Sequence, residues 1–146
     1  MKAESWRVAK AGPRDLKNAR RLLEASELTV DGLEETELWC VRGESGGLIG
    51  IAGLETWGRQ GLLRSVVVDG KYRKSGVGKA LVEHVFEEAS SRELAELFLI
   101  TETASRFFER FGFTPFERKK VSGKVLNSVE FREACPETAP VMRIVL

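Results

Sequence analysis

One stretch of the chain combines residue types and spacing that imply chemistry. Arg73-Lys74-Ser75-Gly76-Val77-Gly78-Lys79 sets three cations and two glycines three residues after the run Val66-Val67-Val68-Asp69. The residues beyond Gly76 have the composition of a helix. A helix start leaves its first N–H groups unpaired and carries the positive end of the helix dipole. Glycine lets a ligand approach that backbone closely, and Arg73, Lys74 and Lys79 add formal charge beside it. Such a junction suits a phosphate or pyrophosphate. Two nucleotide motifs fail letter by letter. A P-loop requires Gly where Arg73 stands and Ser or Thr where Ala80 stands; a dinucleotide fingerprint requires Gly or Ala where Leu81 stands.

Other side chains with chemical potential flank this junction. Arg59 and Arg64 precede the valines, and each guanidinium can grip a carboxylate or other oxyanion with two parallel donors. Arg64 and Ser65 interrupt an otherwise apolar strand. A guanidinium buried there needs a partner, and an anionic amino acid would supply one. Glu55 and Glu102 fall at strand ends and are candidate general bases, although each also reads as a solvated charge. Thr101, Thr103 and Ser128 are further polar candidates, and Trp57 could wall a pocket. His84 falls in mid-helix next to Glu83, where a surface role is the better reading. Cys40 and Cys135 lie far apart, neither in a CxxC pair, and read as free thiols; with His84 the only histidine, no metal site is expected.

The elements that must position these residues follow from periodicity and turn chemistry. Residues 6–10 alternate as a strand, Gly12-Pro13 opens a helix running to Ser26, and residues 27–35 are irregular or a short helical turn. Residues 37–42 and 48–57 form a hairpin around the turn 43–47, and 61–69 is a third, β-branched strand. An amphipathic helix spans 76–92, a buried strand 94–101, and a second helix 104–113 that ends at Gly112. Residues 125–134 read as helical and 141–146 as a closing strand. Strands 62–68 and 96–101, joined by the helix at 77–91, are expected to be parallel. The expected class is therefore α/β (α+β): a mixed, mostly antiparallel sheet with helices on both faces, in a single domain over 1–146.

Composition narrows the function classes. The 146 residues are 42% hydrophobic and 31% charged, as a globular protein with a substantial core requires. Lys and Arg total 23 against 22 Asp and Glu, so no global positive field favours nucleic acid, and any anion site is local. No apolar stretch approaches the length of a membrane span, and the opening MKAESWRVAKAGPRD lacks the apolar run of a secretory leader, so a cytoplasmic location is expected.

The pattern R-x-x-G-x-G at 73–78, after LRSVVVD, resembles the acyl-coenzyme A loop of the GCN5-related N-acetyltransferases (GNAT). LFLIT followed by ASRFFERFGFTPF resembles the next elements of that family, and the element order agrees over nearly the whole chain. Three blocks, GLETWGRQGLLRSVVV, TETASRFFERFGF and SVEFREACPETAPVM, are similar to the ArsN-type acetyltransferases, which are associated with arsenic resistance through N-acetylation of arsinothricin and its relative phosphinothricin.

The resemblance implies acetyl-CoA as co-substrate, no metal, and a small-molecule amine as acceptor. It implies a pyrophosphate on the backbone of Arg73, Lys74, Ser75, Gly76, Val77, Gly78 and Lys79, and a pantetheine arm alongside Val66, Val67 and Val68. The Val66 N–H would be an oxyanion-type donor, and the two parallel strands would splay to make a slot. Many members place a Tyr four residues before the glycine of the GF pair; here that place, next to the cofactor, is held by Phe108. The implied acceptor is a small acidic amino acid or its phosphinate or arsinate analogue, met by Arg59, Arg64, Thr101 and Ser128. Two alternatives stay open: an acetyltransferase for another amine (polyamine, aminoglycoside or protein amine), and an acyl-CoA-binding module without catalysis. A free sheet edge could also support a homodimer.

Overall fold

A computed structural model describes residues 6–146. The first five residues, which the leader and domain expectations include, lie outside the described range. The strands are β1 (Val8–Lys10), β2 (Glu37–Arg42), β3 (Leu48–Trp57), β4 (Gln60–Val68), β5 (Glu96–Ile100), β6 (Thr114–Phe116) and β7 (Val141–Val145). The helices are α1 (Leu16–Ala25), α2 (Val77–Ser91) and α3 (Ser105–Glu109). The strands form one sheet in the order β1-β2-β3-β4-β5-β7-β6. Every neighbouring pair is antiparallel except β4 and β5, which are joined through α2 and run parallel as expected.

Side-chain alternation sorts the sheet into two faces. One face carries Leu54, Leu63, Leu97, Leu99 and Met142 and is covered by α2 and α3, with Val77, Leu81, Val85, Phe108 and Phe113 in the same apolar cluster. The opposite face is covered in two parts. There α1 packs Ala19 and Leu23 on Leu38, Cys40, Ile51 and Val67, while the stretch before β7 packs Val121, Val125 and Phe131 on Leu62, Phe98 and Val141. Between the two covering pieces, over Leu54–Trp57 of β3, lies an opening, the crevice, and next to it the covering pieces close over Arg64 of β4.

The segment 117–140 departs from the expected helix. It contains the short 3₁₀ turns Arg118–Lys120 and Lys124–Asn127, and a single π turn at Glu130–Ala134. β6, a three-residue edge strand on β7, was not among the sequence-based elements; at three residues, one of them Pro115, it carries no readable alternation. The helix expected over 104–113 is regular only at Ser105–Glu109.

Gln60 ties the irregular segment to the sheet. Its amide nitrogen donates to the Ser122 carbonyl at 2.7 Å and to Glu96 Oε2 at 3.1 Å, while its oxygen accepts from Val125 N–H at 3.2 Å. Gly123 permits this approach. Its φ is +94°, and a Cβ there would stand 2.4 Å from Gln60 Oε1. Gly123→Ala therefore combines a strained backbone with a clash, and is expected to lower unfolding free energy by about 1–3 kcal/mol in urea melts.

Candidate active site

The junction between β4 and α2 is a tightly anchored loop. β4 ends at Val68, and the Asp69 side chain accepts from Lys71 N–H at 2.9 Å, turning the chain into a short 3₁₀ piece, Gly70–Tyr72. Lys74 and Gly76 take left-handed φ values of 65° and 93° on either side of Ser75. Trp6 Nε1 donates to the Ser75 carbonyl at 2.8 Å, and Arg73 reaches Ser26 Oγ at 3.4 Å, so both flanks of the loop are anchored. The first bond inside α2 runs from Ala80 N–H to the Gly76 carbonyl at 3.0 Å. The N–H groups of Val77, Gly78 and Lys79 therefore have no helical acceptor. A Cβ on Gly76 would meet nothing closer than Trp6 at 3.8 Å, so its outer surface is open to a ligand.

β4 is bulged. Ile51 pairs with Val67 and Gly53 with Arg64, so two steps along β3 match three along β4, and Ser65 takes a left-handed φ of 58°. The extra residue resets the alternation. Leu63 faces α2 and Arg64 faces the crevice, yet Val66 and Val68 face α2 again, while Val67 packs under α1. Parallel pairing with β5 covers only Gln60, Gly61 and Leu62 against Glu96, Leu97 and Phe98. Beyond Leu62 the two strands part. Asp69 N–H reaches back to the Ile49 carbonyl at 2.8 Å, so by alternation the backbone groups of Val66 and Val68 point away from β3, into the opening toward β5. The residues present thus fit a pantetheine chain as an added strand and a pyrophosphate on the junction.

The crevice side holds a buried charge cluster. Arg64, 3% exposed, donates from Nη1 to Glu55 Oε2 at 2.9 Å, from Nη2 to the Asp31 carbonyl at 2.7 Å, and from Nε to Ser65 Oγ at 3.1 Å. Its Nε also lies 3.4 Å from Glu130 Oε2. Thr36 Oγ1 lies 3.2 Å from the same Glu55 oxygen. Burial pushes the Glu130 carboxyl up to about 7, against the pull of Arg64 and with Glu55 opposing its ionisation. Burial likewise raises the Cys135 thiol to about 12, with Glu130 adding to the effect. Next to the cluster opens a cavity of about 330 Å³ whose lining includes Glu35, Glu55, Trp57, Ser128 and Arg132. Glu37 at its rim is lowered to about 2 by hydrogen bonds from Arg92, with Lys10 assisting.

The expected site residues divide accordingly. Val66, Val68, Arg73, Lys74, Ser75, Gly76, Val77, Gly78 and Lys79 line the parted strands and the junction; the Val67 side chain points away beneath α1. Arg64, Glu55 and Ser128 meet around the crevice. Arg64, however, already has carboxylate partners within the chain, so its charge is not awaiting a ligand. Arg59 does not join it: it sits at the β3–β4 turn and donates to the Glu93 carbonyl at 3.1 Å. Thr101 Oγ1 accepts from Ala104 N–H at 2.9 Å, and Glu102 is exposed in the loop after β5. The Phe108 ring is buried against Phe107 and Phe113, a core position rather than a pocket wall. His84 packs beside Trp39, outside the site, and both cysteines are free. Among the described residues no cluster of His, Cys, Asp or Glu could hold a metal ion, and no helix is long and apolar enough to cross a membrane. Sequence reasoning missed Glu130 and Arg132. Their only signal was position, inside a run similar to one acetyltransferase subfamily.

The acetyltransferase (GNAT) domain model matches residues 34–115, more than half of the chain and the whole of the bulged strand, junction and α2. The chain belongs to the GNAT acetyltransferase domain family. An amino-acid acetyltransferase of Mycobacterium tuberculosis is 31% identical over 85 residues, covering 58% of this chain and 48% of that protein. The GNAT chain thus spans about half the length of the curated relative it matches. Rv2747 of Mycobacterium tuberculosis, solved in complex with CoA and NLQ, superposes with a TM-score of 0.79 at 25% identity, over 96% of this chain and 99% of that one. N-acetylglutamate synthase of Neisseria gonorrhoeae, solved with coenzyme A and N-acetyl-glutamate, gives a TM-score of 0.82 at 18% identity, over 99% of this chain and 36% of that one. At 18% identity that likeness speaks to the fold alone.

The raised Glu130 carboxyl links stability to pH. The folded protein holds that proton to about pH 7, whereas an unfolded Glu releases it near 4.5. Between those values the folded state binds more protons, so stability falls as pH rises through the window, by about 3 kcal/mol at most. Urea midpoints measured at pH 5 and pH 7.5 should show this decline, and Glu130→Gln should remove most of it.

Proposed function

We propose that this chain is an acetyl-CoA-dependent N-acetyltransferase that acylates the α-amino group of a small acidic amino acid or analogue, arsinothricin and phosphinothricin being the first candidates. The observation that carries the reading is the parting of β4 from β5 beyond Leu62, next to the unpaired N–H groups at the start of α2. That arrangement offers an extended acyl carrier both a strand edge and an anion seat. One sheet containing the seven strands of the described residues supports reading 1–146 as a single domain. Family membership and the 31% identical amino-acid acetyltransferase support amine acylation with an amino acid as acceptor.

Bound acetyl-CoA supplies an activated acyl carbon. The chain's own residues do the rest by position and electrostatics. The N–H groups of Val77, Gly78 and Lys79, with Arg73 and Lys74 close by, hold phosphate oxygens. The Val66 N–H is the donor that this edge offers to an acyl carbonyl. Phe108 has no acidic proton, so water is the proton source for the leaving sulfur, which as a thiolate is a good leaving group near neutral pH.

The acceptor enters from the crevice face. A cavity of about 330 Å³ matches an amino acid in size, Arg132 is the cation in its lining, and Glu35 and Glu55 face an ammonium group. Because Arg64 is compensated inside the protein, Arg132 is the better candidate for an acceptor carboxylate. The acids in the same lining favour the second reading, an acceptor with an added positive charge such as a polyamine.

Release of free thiol from acetyl-CoA across a panel of phosphinothricin, arsinothricin, glutamate, polyamines and an aminoglycoside separates these readings. Turnover with the acidic amino acids is expected. Turnover confined to the cationic amines would move the assignment to the second reading, and tight acetyl-CoA binding with no turnover would leave a binding module. Gly76→Val, which adds a side chain at a left-handed position on the open surface, is expected to weaken coenzyme A binding at least about 10-fold in calorimetry.

A further inference from the structure

The acceptor amine arrives as an ammonium ion, and attack requires its lone pair. The two glutamates foreseen as bases are poorly suited to take the proton. Glu55 is engaged by Arg64 Nη1 and Thr36 Oγ1 through one oxygen, and Glu102 is exposed in a loop. Glu130 differs from both. It is 5% exposed, and among the described residues its ion-pair contact is Arg64 Nε at 3.4 Å, longer than the 2.9 Å between Arg64 and Glu55. Among the described residues no hydrogen bond is donated to its carboxylate, yet no fully buried side-chain oxygen lacks a partner. Its oxygens therefore keep a small accessible area; Glu130 itself stands just behind the cavity lining, between Val129 and Arg132, which belong to it.

Charge counting leads to the same residue. The groups facing Glu130 are Arg64 from β4, Glu55 from β3 and the Cys135 thiol at the end of its own turn, and the thiol stays neutral across the working range. One guanidinium thus serves two carboxylates. The cluster carries an excess negative charge when both are ionised, and the less tightly held partner is the one that takes up a proton. Arg64 also bonds Ser65, the residue before Val66, so Glu130 sits on the crevice side of the strand edge where an acyl group would lie.

We infer that Glu130 is the general base, accepting a proton from the acceptor ammonium, directly or through one water, on the face of β4 opposite α2. This rests on the acetyltransferase reading above. One N–H bond breaks and an O–H bond forms on the carboxylate, leaving the neutral amine with its lone pair. As that lone pair forms the new C–N bond the C–S electron pair leaves on sulfur. A second nitrogen proton passes to water, which protonates the sulfur, and Glu130 returns its own to solvent.

The test uses the full chain, acetyl-CoA and whichever panel amine the wild type consumes. Glu130→Gln keeps the shape and a hydrogen-bonding group beside Arg64. It is expected to lower kcat/KM at pH 7.5 by about 100-fold or more and to abolish the acidic limb of the pH profile. Coenzyme A affinity should stay within about 3-fold, and Glu130→Asp should recover part of the rate with a displaced limb. Independently of turnover, a carboxyl carbon resonance titrating near neutral pH in the free wild type should vanish in Glu130→Gln. If the variant stays active, or loses rate while keeping the limb, Glu130 is not the base although the enzyme reading stands. A Glu130 resonance that titrates below pH 5 overturns the inference as well. Should the wild type consume no amine, the function reading fails and this inference with it.

Discussion

The bulge at Ser65 is the constraint on which the rest of the site depends. One extra residue in β4 reverses its inside-outside alternation between Arg64 and Val66. Without it Val66 would share the face of Arg64, and the strand would have no reason to leave β5. With it the valine side chains dock under α2, their backbone turns into the opening, and the charged residue is delivered to the opposite face. A left-handed non-glycine residue costs on the order of 1–3 kcal/mol. Here part of that cost is offset by the bond from Arg64 Nε to Ser65 Oγ, so strained residue and buried cation hold each other.

Arg64 then organises everything that covers the crevice. It reaches the Asp31 carbonyl in the loop after α1, Glu55 on β3 and Glu130 on the π turn, three pieces of chain that share no regular secondary structure. Burying one guanidinium with two carboxylates is a poor source of stability, because desolvation consumes most of the Coulomb gain. Its value is geometric, since a loop, a strand and an irregular segment are fixed around one opening. Apolar contacts of Val121, Val125 and Phe131 hold the segment on the sheet, and the ion cluster sets where its π turn comes to rest.

Much of this was legible in the sequence for simple physical reasons. The junction at 73–79 is local: its glycines, cations and following helix are contiguous, so the loop and the helix start can be read from letters. The long strands and α2 show clear periodicity, and parallel pairing follows from a helical crossover. What could not be read is non-local or aperiodic. A bulge has no signature in LLRSVVV, where an apolar run hides the reset of alternation. The partners of Arg64 come from positions 31, 55 and 130, so its compensation is visible only after folding. Arg59 and Arg64 looked like a pair because they are near in sequence, but one sits at a turn and the other deep in the strand. Phe108 was placed by family position, and its burial follows from Phe107 and Phe113 packing on its edges.

A two-faced sheet also explains how the proposed site could work with no acid or base exchanging protons on the carrier side. There the structure offers backbone donors and cations, which on the proposed reading would hold phosphate and polarise a carbonyl without exchanging protons. The titratable groups, Glu55, Glu130 and the acids of the cavity, all lie across the strand. On the proposed reading, a group on the crevice face would act across β4 on an amine held against the same backbone edge that the carrier would use. Proton handling and acyl binding thus need not share side chains.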